Sequence, residues 1–71
     1  MSDRPQLLDV VALLEEVPEA SLPRGQVGTV VESLDPETVL VEFSDGEGRA
    51  YAIVPVRAGA LLSLHYQPVA A

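Results

Sequence analysis

Apolar and polar residues alternate most regularly along residues 38–43. Val39, Val41 and Phe43 fall on one face of an extended segment, and Leu40 and Glu42 fall on the other. A period of two residues is that of a β-strand with one face turned towards a core. We therefore predict a strand here and place Phe43 in the core.

A second strand is predicted at residues 27–34, directly after a stretch that contains Gly25 and Gly28. Glycine adopts positive φ without steric cost, and it also lets a neighbouring backbone approach closely. We expect these two glycines to shape the tight start of a bent strand. The strand should end at Asp35-Pro36-Glu37, because aspartate before proline favours a tight turn.

Further strands are predicted towards the C-terminus. The pair Asp45-Gly46 favours a hairpin, and residues 49–54 follow it as a strand that Pro55 ends or marks as an edge. Residues 56–60 are predicted to form a turn, or one turn of helix, and residues 61–66 to form a last short strand.

Residues 7–16 are ambiguous between helix and strand. Their leucines and valines recur at helical spacing, whereas the pair Val10-Val11 and the following Val17-Pro18 favour an extended chain. A helix of ten residues would be marginal, and a barrel needs a first strand in this region. We therefore predict a strand at residues 10–16.

Five short strands joined by tight turns predict an all-β fold, a small and strongly bent antiparallel barrel. The barrel domain is expected to span residues 7–66, between a flexible N-terminal arm at residues 1–6 and a C-terminal tail at residues 67–71. Leu22, within the loop at residues 18–23 that begins and ends with proline, is expected to pack back onto the barrel.

The charge balance bears on the kind of partner. Eleven acidic residues stand against four arginines and no lysine, which gives a formal net charge of -7. The electrostatic field of this negative charge repels the phosphates of nucleic acids and attracts basic surfaces. The alternative is that the acidic excess only keeps a small apolar-rich protein in solution. The chain has no cysteine, which excludes a disulfide or a thiolate zinc site.

The start of the chain lacks the basic and apolar blocks of a secretion signal, and no apolar run approaches the roughly 20 residues of a membrane span. We therefore expect a cytoplasmic protein without a membrane partner.

The residues that could carry chemistry favour binding over catalysis. His65 is the single histidine, so a catalytic triad would need both a nucleophile and an acid brought to it. Glu15, Glu16 and Glu19 are close in sequence, but adjacent strand residues point to opposite faces and no histidine is spaced to share a metal with them. We predict no catalytic residue, no metal site and no cofactor, and we expect the protein not to be an enzyme.

Two motifs carry a resemblance to known families. Arg24-Gly25-Gln26-Val27-Gly28-Thr29-Val30, followed by Val39-Leu40-Val41-Glu42-Phe43, resembles the KOW type of SH3-like barrel found in ribosomal and transcription-elongation proteins. From residue 7 to residue 62 the chain also resembles a family of small bacterial proteins known only as a domain of unknown function. The resemblance implies a five-stranded SH3-like barrel.

Two functional hypotheses follow. The first is a non-catalytic protein-interaction module, the small acidic regulatory or neutralising member of a two-protein bacterial unit. The residues expected to contact its basic partner are Glu15, Glu16, Glu19, His65 and Tyr66. The alternative is a KOW-type nucleic-acid-binding module in which Arg24, Arg49 and Arg57 gather on one face, although the surrounding acids weigh against it.

A further expectation concerns self-association. Pro55 and a short last strand are expected to leave one side of the barrel incompletely paired. Such an edge accepts a strand from a second copy, and the competing prediction is that the first strand covers it. The sequence leaves both alternatives open.

Overall fold

The computed structural model describes residues 4–45 and 47–64. The described chain forms five strands, which are β1 (Val10–Leu13), β2 (Val27–Asp35), β3 (Thr38–Ser44), β4 (Ala50–Arg57) and β5 (Leu61–Ser63). Two 3₁₀ turns complete it, the first at Pro18–Ala20 and the second at Ala58–Ala60. Within these residues there is no helix long and apolar enough to cross a membrane.

The strands form one antiparallel sheet in the order β4-β3-β2-β1-β5. Sequential hairpins join β2 to β3 and β3 to β4, whereas β1 lies between β2 and β5. The predicted all-β fold with five antiparallel strands is confirmed. Closure into a barrel is not confirmed, because the sheet of the described residues begins at β4 and ends at β5 without a ladder between them.

The ambiguous segment at residues 7–16 forms a strand only over Val10–Leu13, shorter than the predicted one. The chain here is hydrogen-bonded on both sides. The Val30 N–H donates to the Asp9 carbonyl at 2.9 Å, and the Leu64 N–H donates to the Val10 carbonyl at 2.8 Å. Pairing with two neighbouring strands outweighs the helical spacing of the leucines, because a short helix gains little on its own.

Pro55 lies inside β4 and does not end it. The Ala58 N–H donates to the Glu37 carbonyl at 2.8 Å, so these two residues form a hydrogen-bonded pair. Alternation along the ladder then makes the pair of Leu40 and Pro55 a non-hydrogen-bonded one. The Pro55 nitrogen therefore faces the free side of β4, where a missing N–H breaks no ladder bond, and Pro55 marks an edge as expected.

The core lies on one face of the sheet, called here the inner face. Phe43 is completely buried, and Leu22 packs back from its loop with 2% of its surface exposed, so both predictions are confirmed. The alternation predicted for β3 is also confirmed, because Val39 and Val41 are buried beside Phe43. The other residues of this core cluster are Val11, Leu13, Val30, Val56 and Leu61.

Gly25 and Gly28 shape the start of β2 in two different ways. Gly25 has φ +90°, a left-handed conformation that favours glycine. At Gly28 a Cβ atom would lie 2.7 Å from Val41 Cγ1 and 2.8 Å from the Glu42 carbonyl oxygen. Gly28 is therefore needed for the close approach of β3. Two register shifts later in β2 let the strand bend further.

The described part of the N-terminal arm contacts the second half of β2. The Arg4 guanidinium donates to Ser33 Oγ at 3.0 Å and to the Asp35 carbonyl at 2.7 Å, and Pro5 is buried. The Leu8 N–H donates to the Val30 carbonyl at 2.7 Å. The described residues that precede β1 thus lie beside the part of β2 that extends beyond β1.

Candidate functional site

The predicted acidic residues lie together in the connection between β1 and β2. Glu15 and Glu16 follow the end of β1, Glu19 lies in the first 3₁₀ turn, and all three are exposed. Val17 and Leu22 exchange backbone hydrogen bonds of 2.8 and 3.1 Å across the base of this loop. The buried Leu22 side chain anchors the same loop, so Glu19 is presented by a backbone that is bonded at its base.

His65 and Tyr66, the other residues predicted to contact a partner, lie outside the described residues. Their part in an interface stays a prediction. Leu64 is the last described residue before them, and it is hydrogen-bonded to Val10 of β1.

The β3–β4 hairpin holds two ion pairs around Arg49. The Arg49 side chain lies 3.5 Å from an Asp45 carboxylate oxygen and 3.1 Å from a Glu47 carboxylate oxygen. These pairs are exposed and contribute little to stability. Within the same described ranges no basic side chain forms an ion pair with Glu15, Glu16 or Glu19.

The Asp45 carboxylate organises that hairpin. Its Oδ1 atom accepts hydrogen bonds from the backbone N–H groups of Glu47 at 2.8 Å and Arg49 at 3.0 Å. Gly48 has φ +85°, a conformation that glycine adopts without strain. The acidic, glycine-containing segment is therefore a turn. Among the described residues no group of three or more carboxylate or imidazole side chains is placed to hold a metal ion.

The arginines of the alternative hypothesis are dispersed. Arg49 directly precedes β4 and Arg57 is its last residue, so the two are separated by the length of an eight-residue strand. At about 3.3 Å per residue, that length is roughly 26 Å. Arg24 lies in the turn before β2. The length of β4 between Arg49 and Arg57 weighs against a compact basic cluster, and the gathering of the three arginines on one face stays a prediction.

The connection between β1 and β2 that carries Glu15, Glu16 and Glu19 is called here the acidic loop. A cleft of about 560 Å³ adjoins it, and the second 3₁₀ turn forms part of the lining of this cleft. On one side of this turn, the Ala58 N–H donates to the Glu37 carbonyl and so holds Glu37 beside the turn. On the other side the Leu14 N–H donates to the Ala60 carbonyl at 2.8 Å, which places Glu15 next to the turn. Arg4 and Arg57 also line the cleft.

Sequence reasoning missed that Glu37 lines this cleft together with Glu15. Its position within the Asp-Pro-Glu turn was clear, but its proximity to Glu15 depends on long-range pairing. The second 3₁₀ turn is bonded both to the β2–β3 hairpin and to the end of β1. No short-range sequence pattern predicts a turn that is hydrogen-bonded to two distant parts of the chain.

Comparison with known proteins identifies the family. Residues 7–63 match the model of a domain of unknown function, DUF4926. No curated protein and no solved structure matches the chain. The matched region extends from before β1 to the last residue of β5, and it covers most of the 71 residues. The chain therefore belongs to the DUF4926 family.

Proposed function

We propose that this protein is a non-catalytic interaction module that binds a basic protein in the cytoplasm. It would act as the small acidic regulatory or neutralising member of a two-protein bacterial unit. The observation that carries the proposal is the group of exposed carboxylates on the loop after β1, which have no ion-pair partner within the described chain.

The physical argument starts from the charge surplus. Eleven acidic residues and four arginines leave most carboxylates without a basic neighbour, and Arg49 is already engaged by Asp45 and Glu47. Complementary charge accelerates association and selects the partner. A loop that is anchored by Leu22 and by the Val17–Leu22 backbone bonds also loses less entropy on binding than a free loop would.

We also propose that the sheet is a strongly bent one of SH3-like type. The register shifts in β2 and the close approach of β3 at Gly28 support this, because both features bend a sheet. A module of this kind needs no catalytic group, and the proposed function assigns none.

Nucleic-acid binding of KOW type is the weaker proposal. It would need clustered basic side chains, whereas Arg49 and Arg57 lie at opposite ends of β4. Phosphate binding by a surface rich in carboxylates is electrostatically unfavourable.

The test is to retrieve the partner of the full chain from an extract of its own cells, and then to measure the affinity of the purified pair against salt concentration. We expect a basic protein whose affinity falls as salt rises. The double variant Glu16→Gln/Glu19→Gln should weaken binding roughly tenfold, in line with the loss of two charge contacts.

The matched control is Glu37→Gln/Glu47→Gln, which removes the same charge from exposed positions outside the loop. Equal losses from the two variants would show that only net charge matters. Retention of RNA in place of a protein would favour the nucleic-acid alternative and contradict the proposal.

A further inference from the structure

The face of the sheet opposite the core, called here the outer face, carries apolar side chains on four strands. Leu62 of β5 pairs with Ala12 of β1, and Ala12 pairs with Val27 of β2. Leu62 and Val27 are about half exposed, at 51% and 46%. Ile53 of β4 is 55% exposed on the same face. Exposed large apolar side chains gathered on one face mark interaction sites in small proteins.

Glu42 lies in the middle of this face. The register places Val10, Thr29, Glu42 and Ile53 in one row across β1, β2, β3 and β4. At about 4.8 Å between strands, the row is roughly 14 Å long. Glu42 is its single charged member, it is half-buried, and no ion pair to it is formed among the described residues.

A groove of about 390 Å³ runs over this part of the face. Val10 and Val27 contribute apolar lining, Glu42 and Asp45 contribute carboxylates, and no arginine lines it. The Asp45 carboxylate is already bonded to its own hairpin, which leaves Glu42 as the acceptor available to a ligand. An aliphatic stem with a cationic head matches this combination of surfaces.

We propose that the outer face around Glu42 is the docking surface for the basic partner. It would receive a segment in which apolar side chains flank a lysine or arginine, with the cation at Glu42 and the apolar side chains over Val27, Leu62 and Ile53. This inference rests on the proposed function, and it names the surface and the partner chemistry.

The outer face is continuous with the acidic loop. Leu14 follows β1 with the same residue parity as Val10 and Ala12, and it is 45% exposed. Glu15 and Glu16 come directly after it. A partner seated on the outer face would therefore reach the loop carboxylates at its margin.

Charge selects a basic partner over a second copy of this chain. Two copies would each bring a net charge of -7, and a symmetric contact through the outer face would place Glu42 near its own counterpart. Like charges brought together at an interface are unfavourable.

Binding through the face is also favoured over strand addition at an edge. Pro55 removes one donor from the free side of β4, and β5 has only three residues. The row of free donors on β4 is interrupted at Pro55, and the row on β5 is short.

The test uses two synthetic peptides, acetyl-Leu-Ser-Arg-Ser-Leu-Ser-amide and its counterpart with glutamate in place of arginine. Each is titrated into the isotope-labelled full chain and followed by amide chemical shifts. We expect the arginine peptide to shift the amides of Val10, Val27, Glu42 and Ile53. The glutamate peptide should bind at least roughly tenfold more weakly.

The discriminating variants are Glu42→Gln and the control Glu37→Gln, which changes net charge equally at a position off the outer face. We expect Glu42→Gln to weaken peptide binding roughly tenfold and Glu37→Gln less than about twofold. Equal effects would overturn the inference, as would equal affinity for the two peptides or no binding at millimolar peptide.

The positions of the amide chemical-shift changes distinguish the outer-face docking surface from the acidic interaction module of the proposed function. Shifts confined to residues 14–20 would overturn the outer-face inference while leaving the acidic interaction module intact. Two other occupants would also overturn it: a second copy, shown by a dimer in sedimentation that Val27→Asp dissociates, or residues 65–71, shown by nuclear Overhauser contacts with Val27.

Discussion

The two faces of β3 differ sharply although their residues alternate along one strand. Val39, Val41 and Phe43 have no more than 1% of their surface exposed, whereas Leu40, Glu42 and Ser44 on the other face are only half-buried. The inner residues belong to one core cluster with residues of β1, β2 and β4, where interior density leaves little room for a change of size. The outer residues carry less of the packing. The proposed function thus assigns stability and binding to opposite residue parities of one strand.

The largest expected effect is at the centre of the inner face. Phe43→Ala should lower the free energy of unfolding by about 3–5 kcal/mol, because it removes a fully buried aromatic ring and leaves a cavity. Denaturant unfolding of the two proteins measures this directly. A loss below about 1 kcal/mol would show that the inner face is not the core.

Gly28→Val tests the close approach of β2 and β3 and should cost about 2–3 kcal/mol, the upper range for overpacking. The new Cβ atom would lie 2.8 Å from the Glu42 carbonyl oxygen, a backbone atom that cannot move aside alone. Gly28→Ala introduces the same Cβ atom without the branched methyls, so it should also be destabilised. A melting temperature within about two degrees of the parent would contradict the placement of this bend.

Gly25→Ala should cost about 1–2 kcal/mol through backbone strain alone, because Gly25 has φ +90° and no atom lies within 4 Å of the site of a Cβ. Gly59→Ala is the matched control, since a Cβ there also meets nothing within 4 Å and no positive φ is found. Equal melting temperatures for the two variants would argue against strain at Gly25.

Ile53→Thr should have the smallest effect on stability, within about 0.5 kcal/mol, because more than half of this side chain is exposed on the outer face. The same variant should weaken binding of the arginine peptide. A loss of stability comparable to that of Gly28→Val would mean that Ile53 is covered in solution.

The sequence predicted those parts of the fold that depend on local pattern. The alternation through Phe43, the turn at Pro36-Glu37 and the edge position of Pro55 each follow from residues within a few positions of one another. The burial of Leu22 was also foreseen. In each case a period or a restricted backbone conformation limits the structure before any long-range contact forms.

Other features could not be read from local pattern, because they depend on long-range pairing. The end of β1 at Leu13 and the continuation of β4 to Arg57 are set by partner strands. The proximity of Glu37 to Glu15 depends on the second 3₁₀ turn, which is bonded to distant parts of the chain. The position of Glu42 within an otherwise uncharged row likewise appears only when four strands are aligned.

The most direct test of the account compares two neighbours on β3 that face opposite sides, Val41 and Glu42. Melting temperature and affinity for the arginine peptide are measured for Val41→Ala and Glu42→Gln. Val41→Ala should cost roughly 2 kcal/mol, about 10 °C in melting temperature, and leave the affinity of the folded protein unchanged. Glu42→Gln should leave the melting temperature unchanged and weaken binding roughly tenfold. A Glu42→Gln variant that melts like Val41→Ala, or that binds like the parent, would contradict the separation of folding and binding between the two faces.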